Sequence, residues 1–432
     1  MDRRGRWLTQ STKRQLDADR KCRRTTYGLS DTHQQVERRN SERPSMKEPR
    51  EVTRQTDPTL CDGSLNLSGN LPPIVADVFE RRYRCALSKV MTQEQLSSLV
   101  GSHRFMGTEK DRRAGSGFAS LRLGSLPDIS RIVVTNGTQS AIDRLFDSIA
   151  GRGGVIAVEE LTYPAIKPMA ARLGIRLCPV SIDDDGLVPD SFSDVCKRDK
   201  PSAFYTMPTL HNPTTATTTL ERRKAVVDIA RLNNVQFIED DIYSILPLDA
   251  PPPFATLAPE ISWYILGTAK SLSPGLKVAY VVAPNSAAAG RAFWPGVKST
   301  YWMPAPLNAE VTANLVLSGH ANEIVGAVRL EMDHRHELAR EILDGIPVTT
   351  NPGALNLWVR IPKSGARLEI ARLTQNRNVI VGHGDAFVVG DRIPPEALRV
   401  GLGTVLTRDQ LSRGLEVVRD AYRSVLEPSM SS

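Results

Sequence analysis

The stretch Tyr264-Ile-Leu-Gly-Thr-Ala-Lys270-Ser-Leu-Ser-Pro274-Gly275-Leu-Lys277 carries more information than any other part of this chain. An apolar, strand-like run breaks at Gly267 into small and hydroxyl-bearing residues, with one lysine at the break. A lysine held at the end of a rigid element, among short neighbours that leave room for a flat ring and a phosphate, is suited to act as a covalent anchor. Most lysines are only solvated surface charges, so the reading of Lys270 rests on what precedes it. Upstream stand Tyr205-Thr-Met-Pro-Thr-Leu-His211-Asn212-Pro213-Thr214 and Ile238-Glu239-Asp240-Asp241-Ile242-Tyr243, each following an apolar, β-prone run (203–207 and 235–238). Each therefore sets polar groups at the end of a strand, where ligands bind in open α/β sheets.

The side chains at those ends form an ordered set. An aspartate such as Asp240 keeps a pyridine nitrogen protonated and the ring electron-withdrawing. Tyr243, three residues on, and Asn212 can both donate hydrogen bonds to a phenolate oxygen on the same ring. With Lys270 as anchor, these residue types in this order point to pyridoxal 5′-phosphate. Between the run 132–135 and the helical pattern from Ala141, Gly137-Thr138-Gln139 places backbone N–H groups at a helix start, where they can cradle a phosphate.

These segments resemble those of fold type I pyridoxal-phosphate enzymes, specifically the class I/II aminotransferases and the aminotransferase-like domains of MocR-type regulators. The likeness runs from about Leu65 to about Leu426 and includes Asn66-Leu-Ser-Gly-Asn-Leu-Pro-Pro73, Thr135-Asn-Gly-Thr-Gln-Ser-Ala-Ile142, Glu159-Glu-Leu-Thr-Tyr-Pro164, Gly353-Ala-Leu-Asn-Leu-Trp-Val-Arg-Ile361 and Ala397-Leu-Arg-Val-Gly-Leu-Gly403. It implies that Gly137, Thr138 and Gln139 hold the cofactor phosphate and that Tyr163 stacks on the ring. It further implies that Arg399 grips the substrate α-carboxylate as a planar fork, with Asn212 beside it. The implied activity is amino transfer between an amino acid and a 2-oxo acid, in a homodimer, with Lys270 as both anchor and general base. A MocR-like transcription regulator, or a lyase or decarboxylase on the same fold, are the alternative uses of such a site.

Three positions depart from the pattern. Lys277 stands seven residues after the anchor, where an arginine often holds the phosphate; it keeps the charge and loses the fork. Gly267 replaces a frequent serine, leaving Thr268, Ser271 and Ser273 as the nearby hydroxyls. The segment Gly101-Ser-His103-Arg-Phe-Met-Gly107 lacks the tyrosine that reaches a partner subunit's phosphate, and His103 or Arg104 is expected in its stead.

Seven apolar runs read as strands: 132–135, 155–158, 175–180, 203–207, 235–238, 263–266 and 278–282. Helical patterns intervene, the best being 220–232, opened by a capping-box arrangement Thr218-x-x-Glu221. The alternation predicts an α/β fold with a seven-stranded, mostly parallel sheet. From Pro306 the pattern turns helical (309–318, 321–343), and the tail reads as strand 355–361, helix 366–374, strand 379–381 and helix 408–426, a smaller α+β domain completed by 71–99. The expected organisation is a leader at 1–62, the first part of the small domain at 63–110, the large cofactor-binding domain at 111–305, and the bridging helix with the rest of the small domain at 306–432.

With 432 residues, 41% of them hydrophobic, the chain can bury a substantial core. Residues 1–54 hold fifteen Lys or Arg against eight Asp or Glu, an excess equal to the whole net charge of +7. This stretch is expected to be a solvated basic arm, and basic arms can bind phosphate backbones. It has too little apolar material for a winged helix. No apolar run is long enough to span a bilayer and no secretory signal follows Met1. Five scattered cysteines and seven histidines show no metal-binding or disulfide spacing. A cytoplasmic location without a metal is the expectation.

Overall fold

The seven runs become the seven strands of one sheet in the structure, a computed structural model that describes residues 63–93, 96–300 and 303–426, apart from the side chains of 298–300. The basic stretch 1–54, and with it the expected leader, lies outside the described residues. In chain order the strands are β1 (Ile132–Thr135), β2 (Val155–Glu159), β3 (Arg176–Val180), β4 (Ala203–Thr206), β5 (Gln236–Asp240), β6 (Ser262–Gly267) and β7 (Ala279–Val282). Their order across the sheet is β1-β7-β6-β5-β4-β2-β3. β7 is antiparallel to both its neighbours, while β3, β2, β4, β5 and β6 run parallel. Six strands therefore end on the same edge, and β7 begins there.

The sequence places helices on both faces because each parallel step needs a crossover. Thr138–Ile149 links β1 to β2, Ile166–Leu173 links β2 to β3, and Leu220–Leu232 links β4 to β5. One face is closed by a ladder of rings in which Phe237 stacks on Phe254 at 4.4 Å and Phe192 on Phe204 at 4.7 Å. The start of Leu220–Leu232 corrects the expected cap: Thr219 is the N-cap and accepts from the Arg222 N–H. The Thr218 hydroxyl instead accepts from the Leu187 N–H at 3.3 Å. Three consecutive threonines all suit the role, and the neighbouring hairpin takes the second.

Beyond the sheet, Pro306–Leu317 and His320–Ile342 form the long helices, and Ala76–Met91 packs against both. A second, antiparallel sheet has the order Val348–Thr349, Asn356–Arg360, Ala397–Gly401, Gly382–His383. The strand Ala397–Gly401 is not among those read from the tail. Val379–Ile380, expected there, pairs instead with Leu65–Asn66 in parallel, which fixes the start of the segment 67–73 over the large sheet's working edge. Among the described residues no helix is long and apolar enough to cross a membrane. None of them form a cluster of three or more His, Cys, Asp or Glu able to hold a metal.

Candidate active site

Four strand ends supply the site. β5 ends on Asp240, which is buried; its Oδ2 accepts from the Tyr205 hydroxyl on β4 at 3.0 Å, and its Oδ1 has no partner. Burial lifts the Asp240 carboxyl to about 7 against the Tyr205 hydrogen bond, with the Asp241 charge adding to the rise. A cation set against Oδ1 would restore the carboxylate. β6 runs into Lys270, whose amine donates to the Asn70 carbonyl and lies 5.9 Å from the Tyr243 ring centre. Burial, then the charges of Arg399 and Lys277, lower this amine to about 7 against the opposing pull of Asp240.

β1 leads to Gly137, which takes φ of 81° and starts the helix Thr138–Ile149 with no side-chain cap. The first-turn N–H groups of a helix have no intrahelical partner, so this end faces the site with open donors. Thr138 meets β6 directly: a Cβ on Gly267 would lie 2.6 Å from its methyl carbon. Lys277 is exposed at φ of 52°, a left-handed conformation unusual for a non-glycine residue. Thr268, one of the nearby hydroxyls expected beside the cofactor, is fully buried, and its hydroxyl donates to the Val278 carbonyl at 2.9 Å, closing the base of the anchor loop. Ser271 is the nearby buried hydroxyl without a partner.

Tyr163, half-buried, accepts from the Gln139 amide at 2.6 Å, and burial raises its phenol. The loop after β4 brings His211 and Asn212. His211 bonds the Leu161 carbonyl through Nε2 at 2.9 Å and Thr214 Oγ1 through Nδ1 at 2.8 Å, and burial lowers it to about 4, so it is neutral. Asn212 Oδ1 accepts from Arg399 at 2.8 Å. The Arg399 guanidinium also donates to the Ser68 carbonyl and sits 4.8 Å from the centre of the Phe387 ring, while its Nε is buried without a partner. Lys270, Asp240, Tyr243, Asn212 and Arg399 thus share one site, with Gly137 to Gln139, Tyr163 and Lys277 around it.

Arg104 does not fit the place expected of it. Its guanidinium is buried, 2.7 Å from Glu310 and 3.5 Å from Asp111, and donates to the Pro306 carbonyl at 3.0 Å. His103 is exposed and stacks on Phe105. Sequence reasoning also missed Tyr205, Asn70, Ser68 and Asn356 as site residues. Asn356 left a trace, being the one polar residue in the apolar run of 354–359.

A family model for aminotransferases of class I and II matches residues 124–418. The chain belongs to the class I and II aminotransferase family. Pyridoxal phosphate is the cofactor of that family. This aminotransferase-family chain is 30% identical over 301 residues to YdeF, an uncharacterized HTH-type transcriptional regulator of Bacillus subtilis, a match covering 69% of this chain and 64% of the regulator. A second such regulator, YdfD, is 26% identical over 240 residues and is covered to 48% of its length. The chain thus spans about half to two thirds of these two relatives. The 2-aminoadipate transaminase of Thermus thermophilus is 25% identical over 326 residues, covering 72% of this chain and 81% of that enzyme. Among solved structures, the α-aminoadipate aminotransferase of T. thermophilus, complexed with N-(5′-phosphopyridoxyl)-L-leucine, superposes with a TM-score of 0.74 at 22% identity over 84% of this chain and 93% of the other. Pyrococcus horikoshii kynurenine aminotransferase gives 0.75 at 20% identity over 84% and 92%. These last two establish the fold. In this family member the unpartnered Asp240 Oδ1, the low-pKa lysine and the open helix start fit the cofactor's ring nitrogen, aldehyde and phosphate in turn.

Proposed function

We propose that the protein is a pyridoxal-phosphate-dependent aminotransferase moving an amino group between an amino acid and a 2-oxo acid. The observation that carries the reading is one buried site holding both a lysine amine at about 7 and a guanidinium with an unpartnered Nε. The first suits a base that takes a proton from a substrate Cα near neutral pH. The second suits a carboxylate. When bound, the cofactor supplies an electron sink for the charge left at Cα. Lys270 would be its covalent anchor and, as a free amine, the base that holds the proton taken from the substrate Cα. Asp240 holds the ring nitrogen charged, Tyr243 and Asn212 donate to the ring oxygen, and Tyr163 covers the ring face. Gly137, Thr138, Gln139 and Lys277 take the phosphate, and Arg399 takes the α-carboxylate.

The names of the relatives make 2-aminoadipate and kynurenine the first amino donors to try. A donor that bleaches the visible band of the loaded protein, with the change absent in Lys270→Ala, is the expected result; no response to any amino acid would overturn the reading. We place the enzyme in the cytoplasm as a homodimer. Of the described cysteines, Cys85 is exposed and Cys178 and Cys196 are buried, all as free thiols, which supports a reducing compartment. The similarity to YdeF and YdfD favours one second reading, a regulator that senses the cofactor or an amino acid on this fold. Amino-acid-dependent, sequence-selective DNA binding without turnover would favour it.

A further inference from the structure

A chain of side-chain amides runs behind Tyr243, and its direction is fixed from one end. Pro213 presents only a carbonyl to this chain, because proline carries no N–H. Asn356 meets that carbonyl with its Nδ2 at 2.9 Å, since the reverse orientation would set two acceptors against each other. The Asn356 Oδ1 is then left facing Asn70, which must answer with its own Nδ2, at 3.0 Å. The same Nδ2 lies 3.1 Å from the Tyr243 hydroxyl oxygen. That oxygen accepts, so the hydroxyl proton is free to point elsewhere. Asn70, Asn356 and Tyr243 are all buried, which leaves little room for water to rescue a wrong orientation. Asn70 also receives the Lys270 amine on its backbone carbonyl, so it touches two working groups of the site at once. The other charged or titratable groups facing Tyr243 are Arg399, Asp240, Tyr163 and Lys270.

We propose that Asn70, oriented by Asn356, is a positioning residue that makes Tyr243 a hydrogen-bond donor toward the cofactor ring oxygen. The proposal rests on Tyr243 facing that oxygen, as set out above. Asn212 is oriented in the same way from the other side. Arg399 can only donate, so it holds the Asn212 Oδ1 and turns the Asn212 amide N–H groups away from itself. Two donors are thereby aimed without either having to choose its orientation when the cofactor arrives.

The test is a spectrophotometric pH titration of the pyridoxal-phosphate-loaded protein, reading the midpoint of the visible band's protonation rather than turnover. A donor on the ring oxygen stabilises its negative charge and lowers the proton affinity of the chromophore. Losing that donor should raise the midpoint by about one pH unit, the scale of one hydrogen bond to a charged group. Tyr243→Phe, Asn70→Ala and Asn70→Asp are expected to shift it upward, and Asn70→Ala combined with Tyr243→Phe should shift it no further than Tyr243→Phe alone. Should Asn70→Ala not fold, Asn70→Ser, too short to reach Tyr243, carries the same expectation. An unmoved midpoint in the Asn70 variants beside a moved one in Tyr243→Phe overturns the relay alone, as does full additivity in the double variant. An unmoved midpoint in Tyr243→Phe overturns the placement of Tyr243 and the relay with it.

Discussion

Gly267 stands where a serine is frequent, and the contact with Thr138 accounts for it. A Cβ there would lie 2.6 Å from the Thr138 methyl and 3.1 Å from Ile242 Cδ1, so the threonine occupies the space a side chain would need. Gly267→Ser is therefore expected to weaken cofactor binding, although it adds a hydroxyl near the phosphate cup. Overpacking of this kind costs about 1–3 kcal/mol, and Thr138→Ser, which removes the methyl, should recover part of it. Titration of cofactor-free protein with pyridoxal phosphate reads the effect; tighter binding by Gly267→Ser alone would refute the packing argument. Lys270 yields a second prediction at this scale. Its amine falls from an ordinary 10.5 to about 7 in the folded chain, so folding there disfavours the charged form. The unfolded chain then binds more protons between those limits, and stability rises with pH across them. Below about 7 the full penalty remains. Thermal unfolding of the cofactor-free protein should thus find Lys270→Met more stable than wild type at pH 6, with the gap closing toward pH 10. A gap that does not depend on pH would exclude a buried charged amine.

At the scale of elements, the loop between β4 and the helix Leu220–Leu232 depends on one buried guanidinium. Arg223 donates to the carbonyls of Thr218 at 2.9 Å, Pro208 at 2.8 Å and Pro252 at 3.2 Å, and to Thr209 Oγ1 at 3.0 Å. It thereby ties down the loop that presents His211 and Asn212. Arg223→Met keeps the length and removes every guanidinium donor; a buried group left unpaired, such as the Thr218 carbonyl, costs about 1–3 kcal/mol, while the Pro208 carbonyl keeps the Thr218 N–H. Denaturant unfolding is expected to report a loss of several kcal/mol, and a loss below about 1 kcal/mol would mean water replaces the arginine. The sequence makes the helix legible, because 220–232 has a start signal and an apolar stripe. It does not make this arginine legible: Arg223 reads as one charge among Glu221, Arg222 and Lys224, and only the loops folded over it bury it. The same holds for the site. Lys270, Asp240 and Asn212 stand at the ends of readable apolar runs, whereas Ala397–Gly401 is interrupted by Arg399 and lacks a clean alternation. Asn70 and Asn356 are visible only as letters, since their role lies in a hydrogen-bond direction set by residues 143 positions away or more.

For the molecule as a whole, Arg104 is committed to Glu310 and Asp111, which supports the proposal that Lys277 of the same chain is the cationic complement to the cofactor phosphate. Lys277→Ala should accordingly weaken pyridoxal phosphate binding more than His103→Ala, because it removes a full charge from beside a dianion. The reverse order, measured by the same cofactor titration at fixed ionic strength, would return the burden to the residue at 103. The antiparallel β7 has a further consequence. Lys270 lies in a closed loop between two paired strands, with Gly267 opposite Ala279 and both the N–H and the hydroxyl of Thr268 donating to the Val278 carbonyl. Opening that loop at its base means unzipping two strands in the middle of the sheet. Amide hydrogen exchange at Thr268 should then proceed only through global unfolding, at the same rate with or without cofactor once the difference in overall stability is taken into account. The anchor would be rigid before anything is bound to it, and any local breathing that admits ligands would belong to the segment 67–73 that lies over it.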